Sequence, residues 1–210
     1  GMGGESCGEM AAFLAAESCG QYYKEKKKET SENPEKFMNE LCYRMNHAVC
    51  RYGEENKINS MGTTAAVLTV GEEAVCSCNL GDSRIYQISQ ERQMQQLSLD
   101  HVLGSSRFAK PPLTQYLGIS EENMGLEPTI VSKKAEIGTR YLICSDGITD
   151  MLSDGEIADI LSRESSVAET VETLVERALI KGGRDNITVI LCELVEQEKS
   201  WFGKLLNYFL

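Results

Sequence analysis

Several residues and patterns that mark specialised classes of protein are scarce in this sequence. Only two histidines occur, and no two cysteines are spaced as Cys-x-x-Cys, which argues against a zinc site of the usual spacing. Every apolar run ends well short of the roughly 18 residues that a membrane-spanning helix needs. Basic residues are outnumbered, with 21 Lys and Arg against 32 Asp and Glu. The net charge of −11 argues against nucleic acid or a membrane surface as a partner, because both require a basic face.

The eight cysteines do not predict a disulfide framework. Most of them lie inside helical or strand-like apolar patterns, where a thiol behaves as a small buried hydrophobe. These residues are Cys42, Cys50, Cys76, Cys78, Cys144 and Cys192. No signal peptide is recognisable. We therefore predict a reducing, cytoplasmic environment.

The first part of the sequence predicts two helices. Apolar residues recur at helical spacing in residues 5–28, which end in a lysine-rich run, and a polar break follows at residues 30–33. Pro34 can open a second helix, with Phe37 and Leu41 on its apolar face. A chain of 210 residues with these proportions of apolar and charged residues fits one soluble globular domain.

The middle of the sequence changes to a strand-like pattern. Short β-rich segments separated by turns predict an antiparallel meander at residues 63–70, 74–80, 84–89 and 94–98. Residues 101–118 predict a loop. A further strand pair, two helices and a last strand follow at residues 126–136, 140–144, 154–163, 167–181 and 186–195.

This order of elements predicts an α+β fold, a four-layer αββα sandwich. Two antiparallel sheets would face each other, and pairs of helices would cover their outer faces. We assign residues 1–196 to this domain and residues 197–210 to an apolar tail. The opening between the sheets, at the strand ends, is the expected place for a site.

Three aspartates stand where a strand-like run meets a glycine-marked turn. They are Asp82, Asp146 and Asp185. Carboxylates that meet at strand ends repel one another unless a hard cation neutralises them. Taken alone, the turns at Asp82 and Asp146 are each more often plain turns than ligands. The recurrence of the pattern predicts one shared carboxylate site.

The strings that carry these aspartates resemble a known enzyme family, the metal-dependent serine/threonine phosphatases of the protein phosphatase 2C (PPM) family in its bacterial form. The resemblance covers nearly the whole chain, with six motifs in the family's order. They are Gly1-Met-Gly-Gly-Glu5, Met61-Gly-Thr-Thr64, Asn79-Leu-Gly-Asp-Ser-Arg84, Leu97-Ser-Leu-Asp-His101 with Leu113-Thr-Gln-Tyr-Leu-Gly118, Leu142-Ile-Cys-Ser-Asp-Gly-Ile-Thr-Asp150, and Gly182-Gly-Arg-Asp-Asn-Ile-Thr-Val189.

The resemblance implies hydrolysis of phosphoprotein monoesters through two Mg²⁺ or Mn²⁺ ions, with a third possible. Asp146 and Asp185 would bind the first ion, the carbonyl of Gly1 would contact the second, and Asp82 would hold the third. Metal ligands are usually oriented by partners behind them. Asn186 would orient Asp185 in this way, and Asp150 would either support the site similarly or cap the following helix.

The sequence also departs from the family pattern. The family's bridging aspartate precedes the glycine that stands at position 1, and its upstream strands, which carry an arginine for phosphate and another acidic ligand, are not matched. We therefore expect a fold lacking the first strands and little or no activity. The alternatives are a non-catalytic pseudophosphatase that binds phosphoproteins and a divalent-ion-binding domain without phosphate chemistry.

Three further expectations concern individual segments. The flap between the Asp-His and Thr-x-x-Leu-Gly segments is short, at residues 102–112. Exposed sheet edges or the apolar tail could pair two copies of the chain into a homodimer. His101 could act as a general acid that protonates the leaving group, but we expect it to have a structural role. Arg84 could bind phosphate, and we expect a structural salt bridge instead.

Overall fold

The structure, a computed structural model, describes residues 1–2, 7–104, 111–120, 125–163 and 165–196. The predicted tail at residues 197–210 and the middle of the predicted flap lie outside these residues. The helices are α1 (Gly8–Lys26), α2 (Glu29–Glu32), α3 (Pro34–Glu55), α4 (Asp146–Thr149), α5 (Asp154–Leu161) and α6 (Val167–Ile180). The strands are β1 (Ala65–Val70), β2 (Ala74–Leu80), β3 (Arg84–Ile88), β4 (Met94–Gln96), β5 (Thr129–Lys134), β6 (Arg140–Cys144) and β7 (Val189–Glu193).

Two antiparallel sheets form the centre of the molecule. The first has the order β1-β2-β5, and the second has the order β4-β3-β6-β7. Three apolar clusters separate four layers: α1 and α3 pack on the first sheet, the two sheets pack on each other, and α4, α5 and α6 pack on the second sheet. The predicted α+β sandwich of two antiparallel sheets with helices is confirmed.

The predicted meander is wrong in its connections. The strands β1 and β2 pair with each other and β3 pairs with β4, but β2 and β3 lie in different sheets. The consecutive strands β5 and β6 are likewise in different sheets. Alternation of apolar and polar residues shows which face of a strand is buried. It does not show whether the next strand lies beside that strand or opposite it.

The helical boundaries follow local chemistry closely. The predicted start of the second long helix at Pro34 is confirmed, and the side chain of Asn33 accepts a hydrogen bond from the N–H of Lys36 to cap it. The predicted polar break before it is instead one helical turn, α2, that ends at Glu32 and is followed by Asn33. None of the helices in the described ranges is long and apolar enough to cross a membrane.

Candidate functional site

The segments that carry Asp146 and Asp185 are joined by hydrogen bonds from one serine. Ser145 lies between β6 and α4, and its N–H donates to the carbonyl of Thr188 at 3.0 Å. Its hydroxyl donates to the carbonyl of Asn186 at 3.1 Å and accepts from the N–H of Thr188 at 3.0 Å. The structure thus brings together the two segments that the family resemblance assigned to one cation.

Gly147 allows these two segments to approach closely. A Cβ atom at Gly147 would lie 2.3 Å from the carbonyl oxygen of Asn186, a distance that real Cβ contacts do not reach. The residue is therefore required for backbone contact rather than for a left-handed conformation. The first turn of α4, which begins with Asp146, can rest directly on the chain after Asp185 for this reason.

The Asp185 carboxylate is oriented from its own segment. Its Oδ1 accepts a hydrogen bond from the backbone N–H of Asn186 at 2.7 Å, and both residues are exposed. The backbone of Asn186, and not its amide side chain, supplies this bond. A role for the Asn186 side chain stays a prediction.

Asp82 lies at the same end of the second sheet. Arg84 pairs with Cys144 across β3 and β6, so Asp82 stands two residues before this pair and Asp146 two residues after it. Because the strands are antiparallel, both aspartates extend from the same end of the strand pair. The thiol of Cys144, at the end of β6, is buried, and burial raises its pKa to about 12.

The amino-terminal residues are connected to this region through backbone contacts and one bond between side-chain hydroxyls. The N–H of Met2 donates to the carbonyl of Gly62 at 3.1 Å, and Gly1 lies against Gly8 in the first turn of α1. Two residues after Gly62, the hydroxyl of Thr64 bonds that of Ser83 at 2.8 Å. The turn that carries Asp82 is thus attached to the segment that holds the chain beside Gly1.

Asp150 does not cap the following helix, so that alternative is wrong. The cap of α5 is Ser153, whose hydroxyl accepts from the N–H of Glu156 while the Glu156 side chain accepts from the N–H of Ser153. This capping box needs a serine three residues before a glutamate, and Asp150 lies too early for it. Asp150 instead ends α4, where its N–H donates to the carbonyl of Asp146 at 2.8 Å. Its support of the site stays a prediction.

The two expectations about structural roles agree with the observed contacts. Arg84 makes a salt bridge to Asp100 at 2.6 Å and a second one to Asp154 at 3.0 Å. His101 is buried, and both of its ring nitrogens lie within hydrogen-bonding distance of protein groups. Burial lowers the pKa of His101, which favours the neutral imidazole near pH 7.

The donors at this end of the sheet fit a hard cation only in part. No group of three acidic, histidine or cysteine side chains placed to hold a metal ion occurs in the described ranges. Mg²⁺ nevertheless keeps several of its waters in proteins and is often bound through one or two carboxylates. The segments carrying Asp146 and Asp185 each supply a carboxylate of the kind that such a hydrated cation uses.

Sequence reasoning missed the residues that position these carboxylates. Ser145 joins β6 to the chain after Asp185, Thr64 contacts the Asp82 turn, and Asn79 bonds the N–H and carbonyl of Leu99. In the sequence, these residues could have been recognised only as polar residues near the turns that carry the predicted metal ligands. Their partners are distant in sequence, so the pairing could not be derived before the fold.

Comparisons with known proteins agree with this geometry. The protein phosphatase 2C family profile matches residues 1–188. The serine/threonine phosphatase stp of Listeria welshimeri is 31% identical over 206 residues, covering 92% of this chain and 81% of the relative. The protein phosphatase PhpP of Streptococcus pneumoniae is 30% identical over 212 residues, covering 94% and 85%.

A solved structure extends the comparison to three dimensions. The catalytic domain of the serine/threonine protein phosphatase PstP, crystallised with two manganese ions, superposes with a TM-score of 0.77 at 27% identity. The superposition covers 93% of this chain and 85% of that one. The suspected resemblance is confirmed, and the chain belongs to the protein phosphatase 2C family.

Proposed function

We propose that this chain is the core of a metal-dependent serine/threonine phosphoprotein phosphatase that hydrolyses phosphate monoesters. The observation that carries the proposal is the position of Asp82, Asp146 and Asp185 at one end of the second sheet, with the Asp146 and Asp185 segments hydrogen-bonded to each other. The phosphatase names of the relatives support the same reaction class.

Each site residue has a proposed role. Asp146 and Asp185 hold one Mg²⁺ or Mn²⁺ ion, the carbonyl of Gly1 contacts a second, and Asp82 holds a third. Divalent cations of this kind activate water and neutralise phosphoryl oxygens. Asn186 keeps the Asp185 carboxylate in one orientation, and Asp150 supports the turn of α4 from which Asp146 extends.

We further propose that the 210-residue polypeptide turns over substrate weakly. The described residues provide no group of three metal-binding side chains, and a two-metal mechanism needs both ions in place. The same observation favours the second candidate function, a phosphoprotein-binding module with little catalysis. A phosphoprotein is the partner in both cases. The eight free cysteines are compatible with a cytoplasmic location.

The test is hydrolysis of p-nitrophenyl phosphate and of a phosphothreonine peptide with Mn²⁺. We expect slow, Mn²⁺-dependent turnover that falls more than about tenfold in Asp146→Asn. Removing a residue that only supports a metal ligand typically costs about 10 to 100-fold, and removing the ligand itself should cost at least as much. Asp159→Asn, at an exposed position of α5, is the matched control and should keep wild-type turnover.

The outcomes separate the candidates. Fast turnover that Asp146→Asn abolishes would disprove the weak-turnover proposal but support the phosphatase assignment. Mn²⁺-dependent binding of the phosphopeptide without hydrolysis would favour the binding module. Neither binding nor hydrolysis, in a chain shown to be folded by circular dichroism, would contradict both functions.

A further inference from the structure

The turn between β2 and β3, residues 81–83, has little conformational freedom. Gly81 has a φ of +101°, which disfavours any other residue, and a Cβ atom there would lie 2.4 Å from the Cγ2 of Thr64. The Ser83 hydroxyl bonds that of Thr64 at 2.8 Å. Asp82 thus lies between two residues whose positions are fixed by contacts with Thr64.

His101 binds both backbone groups of Gly81. The N–H of His101 donates to the Gly81 carbonyl at 3.1 Å, and the Gly81 N–H donates to Nδ1 of His101 at 3.1 Å. Because the N–H of Gly81 is a donor, Nδ1 must be unprotonated, and the ring hydrogen lies on Nε2. Nε2 then donates to the hydroxyl of Thr129 at 3.1 Å. One neutral tautomer satisfies both ring bonds, and the backbone bond is independent of it.

The residues around His101 are hydrogen-bonded in turn to other parts of the chain. The carbonyl of His101 accepts from the N–H of Thr114 at 2.8 Å, and the N–H of Leu103 donates to the carbonyl of Pro112 at 2.9 Å. On the other side, Asn79 bonds both backbone groups of Leu99. The Asp82 turn and the chain at residues 99–104 and 112–114 thus form one hydrogen-bonded unit.

We infer that His101 is a positioning residue that fixes the Asp82 turn for a cation and couples cation binding there to the chain on both sides of residues 105–110. The inference rests on the proposed role of Asp82 as a cation ligand. His101 itself does not contact the cation or the substrate. It acts by keeping the Gly81 N–H and carbonyl bonded, which holds the backbone from which the Asp82 side chain extends.

Two substitutions of His101 each keep one of the two hydrogen bonds of the imidazole and remove the other. In His101→Asn, the side-chain Oδ1 takes the place of Nδ1 and can accept from the N–H of Gly81, while the bond to Thr129 is lost. In His101→Gln, the amide reaches the place of Nε2 and can bond Thr129, while Gly81 loses its acceptor. Both variants remove one hydrogen bond from a buried site, so their costs in stability should be similar. Only His101→Gln should disturb the turn.

The experiment is a titration of the 210-residue chain with Mg²⁺, followed by the NMR amide signals of Gly81, Leu103 and Thr114. In the wild type and in His101→Asn, Mg²⁺ should shift all three signals. In His101→Gln, the dissociation constant should rise about 10 to 100-fold, as for other residues that orient a ligand from behind. Amide hydrogen exchange without Mg²⁺ should show Gly81 protected in the wild type and His101→Asn and exposed in His101→Gln.

Asp82→Asn separates failure of the inference from failure of the proposed function. If the Gly81 signal of Asp82→Asn responds to Mg²⁺ with the wild-type dissociation constant while Gly81 protection follows the expected pattern, the cation role of Asp82 is wrong and the positioning role of His101 stands alone. Wild-type affinity in a folded His101→Gln would overturn the inference. Equal loss in both His101 variants, or no response of Thr114 in the wild type, would overturn it as well.

Discussion

The guanidinium of Arg84 joins three segments of the molecule at the start of β3. Its Nε donates to both carboxylate oxygens of Asp100, at 2.9 and 3.0 Å, and its terminal nitrogens reach Asp100, Asp154 and the hydroxyl of Tyr86. The side chains of Arg84 and Asp100 are only 22% and 24% exposed, so solvent screens their interaction less than it screens a surface pair. The planar fork of arginine is suited to such divergent acceptors.

Arg84→Lys should therefore destabilise the protein although it conserves charge. A lysine ammonium can replace one of these bonds but cannot meet Asp100 with two nitrogens while also reaching Tyr86 and Asp154. We expect a loss of about 1 to 3 kcal/mol in the free energy of unfolding, the range for a disrupted partly buried network. Urea unfolding, with the midpoint compared at constant m value, measures it.

Arg51→Lys is the matched control for this prediction. Arg51 makes a 3.9 Å pair with Glu55 along α3, and both side chains are about two-thirds exposed, at 65% and 66%. Exposed pairs of this kind contribute little, so its change should stay within about 0.5 kcal/mol. Equal effects of the two substitutions would show that the Arg84 network has no special role.

Sequence patterns indicated structural roles for Arg84 and His101 but not the residues that they contact. A structural salt bridge for Arg84 and a structural role for His101 were expected, and the contacts agree. Asp100 lies 16 residues beyond Arg84, and Gly81 lies 20 residues before His101. Such pairings are set by tertiary structure, because only the packing of the chain decides which donors and acceptors meet.

The contact between α4 and the chain entering β7 depends on Gly147, which has no side chain. A Cβ atom at Gly147 would stand 2.3 Å from the Asn186 carbonyl oxygen and 3.2 Å from the Cγ1 of Ile187. The nearest obstacle is backbone, so it cannot move by a change of rotamer. Gly147→Ala should push the Asp146 segment away from the Asp185 segment, which lowers the affinity for Mn²⁺ as well as the stability.

We expect Gly147→Ala to cost about 1 to 3 kcal/mol, the usual range for overpacking, and to weaken Mn²⁺ binding by at least tenfold, as for residues that orient metal ligands. Gly155→Ala is the control, because a Cβ atom at that position of α5 meets nothing within 4 Å. Alanine should stabilise that helix by up to about 1 kcal/mol. Urea unfolding and Mn²⁺ titration calorimetry give the two readouts; wild-type Mn²⁺ affinity in Gly147→Ala would contradict the proposed close approach.

The success of the sequence prediction differs among the elements for a physical reason. The strands β2 and β6 and the start of α3 were predicted at their observed bounds, because glycine, proline and apolar runs define them locally. The division of the strands between two sheets was not predicted. That division depends on the crossing at residues 81–83, where the turn looks like an ordinary hairpin turn in the sequence.

In the molecule as a whole, the two sheets do not cover each other completely. In β7, Cys192 packs in the cluster between the sheets, and Ile190 points to the same face because side chains alternate. Ile190 is nonetheless 55% exposed, and Val70 at the end of β1 is 54% exposed. Both β1 and β7 are outer strands of the described sheets. An open edge beside an uncovered apolar face favours pairing with another chain.

The homodimer stays a prediction, and this side of the described sheets is where it can be tested. We expect the 210-residue chain to increase in average mass with concentration in light scattering, because edge pairing between copies would cover Ile190. Ile190→Lys should shift the distribution toward the monomer, since an inward-pointing charge blocks edge pairing. Ile180→Lys is the matched control, because Ile180 is 78% exposed but lies on α6 in the outer helical layer. A monomer mass independent of concentration, or equal effects of the two substitutions, would exclude association through this edge.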